Sequence, residues 1–168
     1  INCPVTVRCG GASRTVLFHR APWEPEFQVA KLNIKELCSD VEIIVPHPTQ
    51  DSPGGHRKIG LGLRSIRFVP VHGGDENPDD GVDFRNKAYP FFLEEIRGVS
   101  EWEPWGRWSD GPRIELRLES PLKGRVNIEI VGWCIEENQG CPIKVKCGGA
   151  QDSVTFNSQS WQFTKQVA

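Results

Sequence analysis

Long apolar runs are absent from this 168-residue sequence. No stretch approaches the roughly 18 apolar residues of a membrane-spanning helix. A basic excess is missing too, since 20 Lys and Arg stand against 22 Asp and Glu. Because phosphate binding needs a clear basic surplus, this balance argues against a nucleic-acid partner. We therefore expect neither a membrane span nor DNA or RNA binding.

Patterns that support catalysis or metal binding are also missing. The six cysteines lack the CxxC pairs of zinc ribbons, and the four histidines have no zinc-finger spacing to them. The carboxylate pairs at 79–80 and 94–95 are sequence neighbours, which does not place them across a cleft. We expect no enzyme activity, no catalytic residue, no metal and no cofactor.

Turn-forming residues are abundant, with 17 Gly and 13 Pro. They separate short segments in which apolar and polar residues alternate, such as 113–119 and 125–132, with a turn expected at 120–124. Alternation in 59–69 slips after Leu63, which predicts a bulge, and the small residues Gly60 and Gly62 would let a strand or ring pack closely. The pattern predicts an all-β fold, an antiparallel, jelly-roll-like β-sandwich.

An internal repeat is the strongest feature of the sequence. The segment INCPVTVRCGGASRTVLFHRAPWEPEFQVA at 1–30 aligns without a gap with QGCPIKVKCGGAQDSVTFNSQSWQFTKQVA at 139–168. Cys3 matches Cys141, so the period is 138 residues. That period is a domain's length and far exceeds the periods of solenoids.

The repeat predicts the domain organisation. Residues 1–72 would be the second half of one β-sandwich repeat and 82–168 the first half of the next, with the acidic, Gly/Pro-rich segment 73–81 as linker. Residues 82–138 with 1–72 would make one permuted domain. The spare copy at 139–168 would then belong to a neighbouring domain of a longer chain, or complete a neighbouring molecule by strand exchange.

The repeated strands carry an alternating apolar face, which we expect to mediate this assembly. Its residues are Cys3, Val5 and Val7 in the first copy and Cys141, Ile143 and Val145 in the second.

Six cysteines in a chain without methionine favour disulfides and an oxidising compartment outside the cytosol. Bridges between sequence neighbours would join Cys134 to Cys141 and Cys9 to Cys38. Cys3 and Cys147 would then find partners beyond this segment or in another copy. Alternatively, Cys3 pairs with Cys147 or both stay free. The candidates are Cys3, Cys9, Cys38, Cys134, Cys141 and Cys147.

Three tryptophans, Trp102, Trp105 and Trp108, lie within seven positions. Indole faces stack on sugar rings, and the polar side chains of Arg107 and Asp110 can hydrogen-bond sugar hydroxyls. The alternative is structural: residues spaced by three cannot all lie on one face of a strand, so at least one indole belongs to the core. We favour the structural interpretation. The glycan-binding alternative consists of Trp102, Trp105, Arg107, Trp108 and Asp110.

The segment GVSEWEPWGRWSDGPRIELRLES at 98–120, followed by PLKG, resembles the C-terminal β-sandwich of bacterial periplasmic phosphoglycerol transferases, which decorate osmoregulated glucans. Residues 41–69 resemble the last strands of that module. In the family the tryptophan motif comes first, whereas here it follows 59–68, so the resemblance implies a tandem or permuted order. It also implies an envelope glycan setting, but no activity, because the family's catalytic domain is not among these residues.

Together these features predict a non-catalytic, extracellular or cell-surface structural module, with a periplasmic setting as an alternative. It would assemble with copies of itself into a fibre or surface array. The alternatives are a module that binds polysaccharide and an accessory domain of a glucan-modifying envelope enzyme.

Overall fold

The structure is a computed structural model. It describes the backbone of residues 2–9 and 12–19, and residues 24–71 and 81–157 in full. The expected linker at 73–81 thus lies outside the described residues except for Gly81. No helix in the described ranges is both long and apolar enough to cross a bilayer.

Twelve strands and one 3-10 turn, Glu136–Asn138, account for the regular structure of the described residues. The strands are β1 (Asn2–Cys9), β2 (Ala12–His19), β3 (Glu26–Ile44), β4 (Thr49–Gln50), β5 (Lys58–Ile59), β6 (Leu61–Pro70), β7 (Gly81–Asp83), β8 (Leu93–Arg97), β9 (Arg107–Trp108), β10 (Arg113–Cys134), β11 (Pro142–Cys147) and β12 (Ala150–Thr155).

Eight of these strands form one antiparallel sheet. Its order is β12-β11-β3-β10-β6-β7, with β8 added to β10 and β9 added to β6. Two smaller pairs, β1–β2 and β4–β5, are separate from it. An all-β fold with a large antiparallel sheet is therefore confirmed, while the jelly-roll topology stays a prediction.

Two long strands, β3 and β10, pair along most of their length and so extend from one end of the sheet to the other. Near one end Ile44 pairs with Arg113, and near the other Glu26 pairs with Gly132. Between these ends the register shifts on either side of Leu122, where β10 bends. Since buried residues from all the long strands belong to a single hydrophobic cluster, the two ends of the sheet share one core.

The turn predicted at 120–124 is wrong, because β10 continues through these residues as a bent strand. Gly124 supplies part of the bend, with φ of +78°.

The bulge predicted after Leu63 is confirmed. Val131 pairs with Ser65 and Gly132 with Leu63, so Arg64 is the extra residue on β6.

The two copies of the repeat form hairpins with the same register. In β1–β2, Cys9 lies opposite Ala12, and in β11–β12, Cys147 lies opposite Ala150. Among the described strands of these two hairpins, only those of the second are hydrogen-bonded to β3, where Cys147 lies opposite Val41. Strands on both sides of residues 72–80 join the same sheet. The assignment of the two copies to different domains stays a prediction.

Candidate functional site

The tryptophan-rich segment forms a tight loop between β8 and β9. Glu103 and Gly106 exchange two backbone hydrogen bonds of 3.0 Å each, and Val99 lies opposite Ser109 in a further bridge. Gly106 has φ of +148°, and a side chain there would run into the carbonyl oxygen of Leu63. The glycine of this motif is therefore required by close approach to β6.

Two of the three loop tryptophans belong to an internal indole cluster. Trp108 is 1% exposed, and its ring centroid lies 5.0 Å from that of Trp105 with an interplanar angle of 63°. The ring centroid of Trp133, which lies on β10 and outside the motif, is 5.5 Å from that of Trp105. The close ring packing expected at Gly62 is confirmed, because a Cβ there would lie 3.1 Å from Trp108.

Trp108 is too buried to offer a ring face to a sugar, and Trp105 is partly buried against it. The Trp105 Nε1 donates to Glu103 Oε2 at 2.8 Å, which satisfies its polar atom within the loop. Edge-to-face packing with Trp108 and Trp133 then stabilises this end of the fold. This packing favours the structural interpretation for Trp108, while the glycan-binding alternative for the motif stays a prediction.

Arg107 connects the loop to the segment after β7. It is 8% exposed, and its guanidinium donates to the carbonyl oxygens of Ser100 and Lys87, each at 3.1 Å. Its Cζ lies 4.8 Å from the ring centroid of Tyr89. Burial raises the pKa of Tyr89, an effect that the Arg107 charge opposes. Among the described residues, the Nε of Arg107 has no hydrogen-bond partner.

Trp102 is held by contacts that differ from those of the other two indoles of the motif. Its half-buried ring is fixed by a hydrogen bond of 2.6 Å from Nε1 to the carbonyl oxygen of Arg85. Arg85 is itself held by Asp83, whose pKa is lowered by the Arg85 side-chain hydrogen bond. The Lys87 Nζ lies 4.8 Å from the Trp102 ring centroid. The indole is thus held in one orientation from its edge.

An open groove of about 760 Å³ passes between Trp102 and Arg107. It contains three of the five predicted glycan-binding residues, namely Trp102, Arg107 and Asp110. Arg57 and Lys87 lie outside the motif in sequence, and only the tertiary fold brings them to this groove. The complete lining is Arg57, Lys87, Val99, Ser100, Glu101, Trp102, Arg107 and Asp110.

Two of the three predicted assembly residues of the second copy face the core. Ile143 and Val145 are both 0% exposed, and Cys141 precedes β11 in a half-buried position. The side chains of the first-copy assembly residues, Cys3, Val5 and Val7, lie outside the described residues.

The cysteines whose side chains the structure describes form no disulfide, so the expected disulfides are not confirmed. Cys134 and Cys147 are buried, and Cys38 and Cys141 are half-buried. Burial raises the pKa of Cys134 to about 12. Burial also raises the pKa of Cys147, with a further contribution from its neighbour Cys38. The side chain of Cys9, like that of Cys3, is outside the described part of the chain.

The C-terminal part of the chain, including the loop, matches a known family of domains. Residues 74–168 match the family described as "Domain of unknown function (DUF7024)". This match covers more than half of the 168 residues, and the chain is a member of that family.

Similar curated proteins carry the name phosphoglycerol transferase I. Over 80 residues the chain is 25% identical to those of Salmonella arizonae, Salmonella newport and Salmonella typhi. The match covers 46% of this chain and 10% of each relative, so the chain matches about a tenth of their length. No solved structure matches. The resemblance to phosphoglycerol transferases is thus supported at the level of sequence, while the tandem or permuted order stays a prediction.

Proposed function

We propose that this chain is a non-catalytic accessory module of a glycan-modifying enzyme and that its groove binds the glycan. One observation carries the proposal: the indole of Trp102 shares an open groove with charged groups of both signs. The similarity to phosphoglycerol transferases supports an enzyme context. It also supports an extracellular, surface or periplasmic setting for the module.

The groove offers the chemistry that a sugar needs. An indole face packs against the apolar face of a sugar ring, and side chains beside it hydrogen-bond the hydroxyls. Glu101 and Asp110, both exposed, supply acceptors. Arg57 and Lys87 supply donors, and Arg107 adds a third positive charge. Arg57 also pairs with Asp51 at 2.9 Å and lies 3.8 Å from Glu103, so positive and negative groups around the groove nearly balance.

Replacing Trp102 with alanine is expected to weaken glycan binding about tenfold or more, since it removes the stacking face. The affinity is measured by isothermal titration calorimetry with soluble β-linked glucose oligosaccharides. Phe91→Ala is the matched control, because Phe91 is an exposed aromatic (86%) that does not line the groove. Unchanged affinity in Trp102→Ala, or no binding of any oligosaccharide by the unaltered protein, would contradict the proposal.

A second candidate function is assembly with copies of itself into a fibre or array, by strand exchange or tandem linkage. The observation that favours it is the pair of hairpins with one register, of which only one is built into the large sheet. Sedimentation equilibrium tests the strand-exchange form, which predicts masses in multiples of 18.9 kDa. A single species of 18.9 kDa at every concentration would exclude it.

A further inference from the structure

Two thiols meet where the second hairpin joins β3. Cys147 is the last residue of β11, and its Sγ lies 3.7 Å from the carbonyl oxygen of Cys38. A Cβ placed on Gly148 would lie 3.4 Å from the Cβ of Cys38 and 3.5 Å from its Sγ. The tip of the hairpin therefore rests directly on the Cys38 side chain.

The Cys38 thiol is also reachable from solvent. Cys38 lines two neighbouring grooves, of about 630 Å³ and 400 Å³, and Gly148 lines both as well. Cys147 is 0% exposed and lies behind it. A small oxidant can thus reach Cys38 first, and Cys147 is the adjacent thiol.

We propose that Cys38 and Cys147 form a disulfide that fastens the tip of the second hairpin to β3. The oxidant is a low-molecular-weight disulfide. The Cys38 thiolate attacks it and releases one thiol, and the Cys147 thiolate then attacks the mixed disulfide and releases the second. The protein loses two protons and two electrons, and the oxidant is reduced to two thiols. This bridge differs from the Cys9–Cys38 pairing that sequence order favours.

The repeat extends the proposal to the first hairpin. Cys9 is the counterpart of Cys147, each is followed by a Gly-Gly pair in the sequence, and the two hairpins have the same register. When the first hairpin replaces the second at the edge of β3 in the same register, Cys9 lies where Cys147 lies in this structure. Cys38 is therefore the common disulfide partner of both copies. The cysteine to which it is bonded shows which hairpin is paired with β3.

Tryptic mapping of the oxidised full-length chain tests the bridge, since cleavage separates the relevant cysteines. Cys38 falls in peptide 36–57, Cys147 in 147–165 and Cys9 in 9–14, while Cys134 and Cys141 share 126–144. After incubation with oxidised glutathione, we expect peptide 36–57 to be linked to 147–165. The midpoint of thermal unfolding should rise by about 5–10 °C and return on reduction.

Two serine variants complete the test. Cys141→Ser should leave the link from 36–57 to 147–165 intact. In Cys147→Ser, peptide 36–57 should instead be linked to 9–14. Free Cys38 and Cys147 in the oxidised unaltered chain, or a link from 36–57 to any other peptide, would overturn the bridge. Failure of Cys38 to link to Cys9 in Cys147→Ser would overturn the shared site.

Discussion

Replacing Trp108 with alanine is expected to lower the free energy of unfolding by about 3–5 kcal/mol. Trp108 is 1% exposed and packs against Trp105, Ile59 and Ile135 in a cluster at one end of the sheet. Its removal leaves a cavity. Gly62, which lies against the indole, has no side chain that could move into the cavity. Urea unfolding followed by tryptophan fluorescence and circular dichroism measures the loss.

Trp102→Ala is the matched control for this prediction. Trp102 is half-buried and is held by a single hydrogen bond to a carbonyl oxygen, so its loss should cost about 1 kcal/mol. The two variants thus separate stability from binding, because Trp108 supports the fold and Trp102 is proposed to contact glycan. Equal loss of stability in both variants would show that the division within the motif is wrong.

Gly106→Ala is expected to destabilise the protein by about 3 kcal/mol or more. The new Cβ would collide with the carbonyl oxygen of Leu63 and force apart the pairing between Leu63 and Arg107. Because Arg107 holds Ser100 and Lys87 at the groove, glycan affinity should fall with stability. Thermal and urea unfolding measure the first effect, and calorimetric titration measures the second.

Gly111 offers a close comparison with Gly106. It also has positive φ, +96°, but a Cβ there would meet nothing within 4 Å. Gly111→Ala therefore carries only the backbone cost, about 1 kcal/mol. Similar losses in the two variants would mean that contact with Leu63 does not restrict position 106.

The sequence predicted strands well where one side of the chain faces the core. Alternation in 113–119 and 125–132 marked both ends of β10, and the slip after Leu63 marked the bulge. The bend between those ends resembled a turn, because glycine near a proline suits either. Pairing with β3 on both sides of the bend decides the outcome, and that partner is distant in sequence.

The candidate site was predictable only in part, for the same reason. Spacing showed that the three tryptophans of the motif could not share one face, but not which of them would be buried. That depends on Trp133 and Gly62, which reach the motif from β10 and β6. Arg57 and Lys87 likewise join the groove through the tertiary fold. Local sequence therefore identified the loop, and the sheet determined what each of its residues does.

The pairing of the long strands β3 and β10 also affects the rate at which this molecule folds. Their pairing joins Glu26 to Gly132, so the sheet consists largely of contacts between distant parts of the chain. Such topologies fold slowly, because loop-closure entropy is lost before the contacts form. During synthesis β3 is made before its partners β10 and β11, so its edges are unpaired until they follow. The first hairpin is made before all three strands. Within residues 1–168, the first hairpin is thus the copy of the repeat that is made early enough to cover the unpaired edge of β3 during that interval.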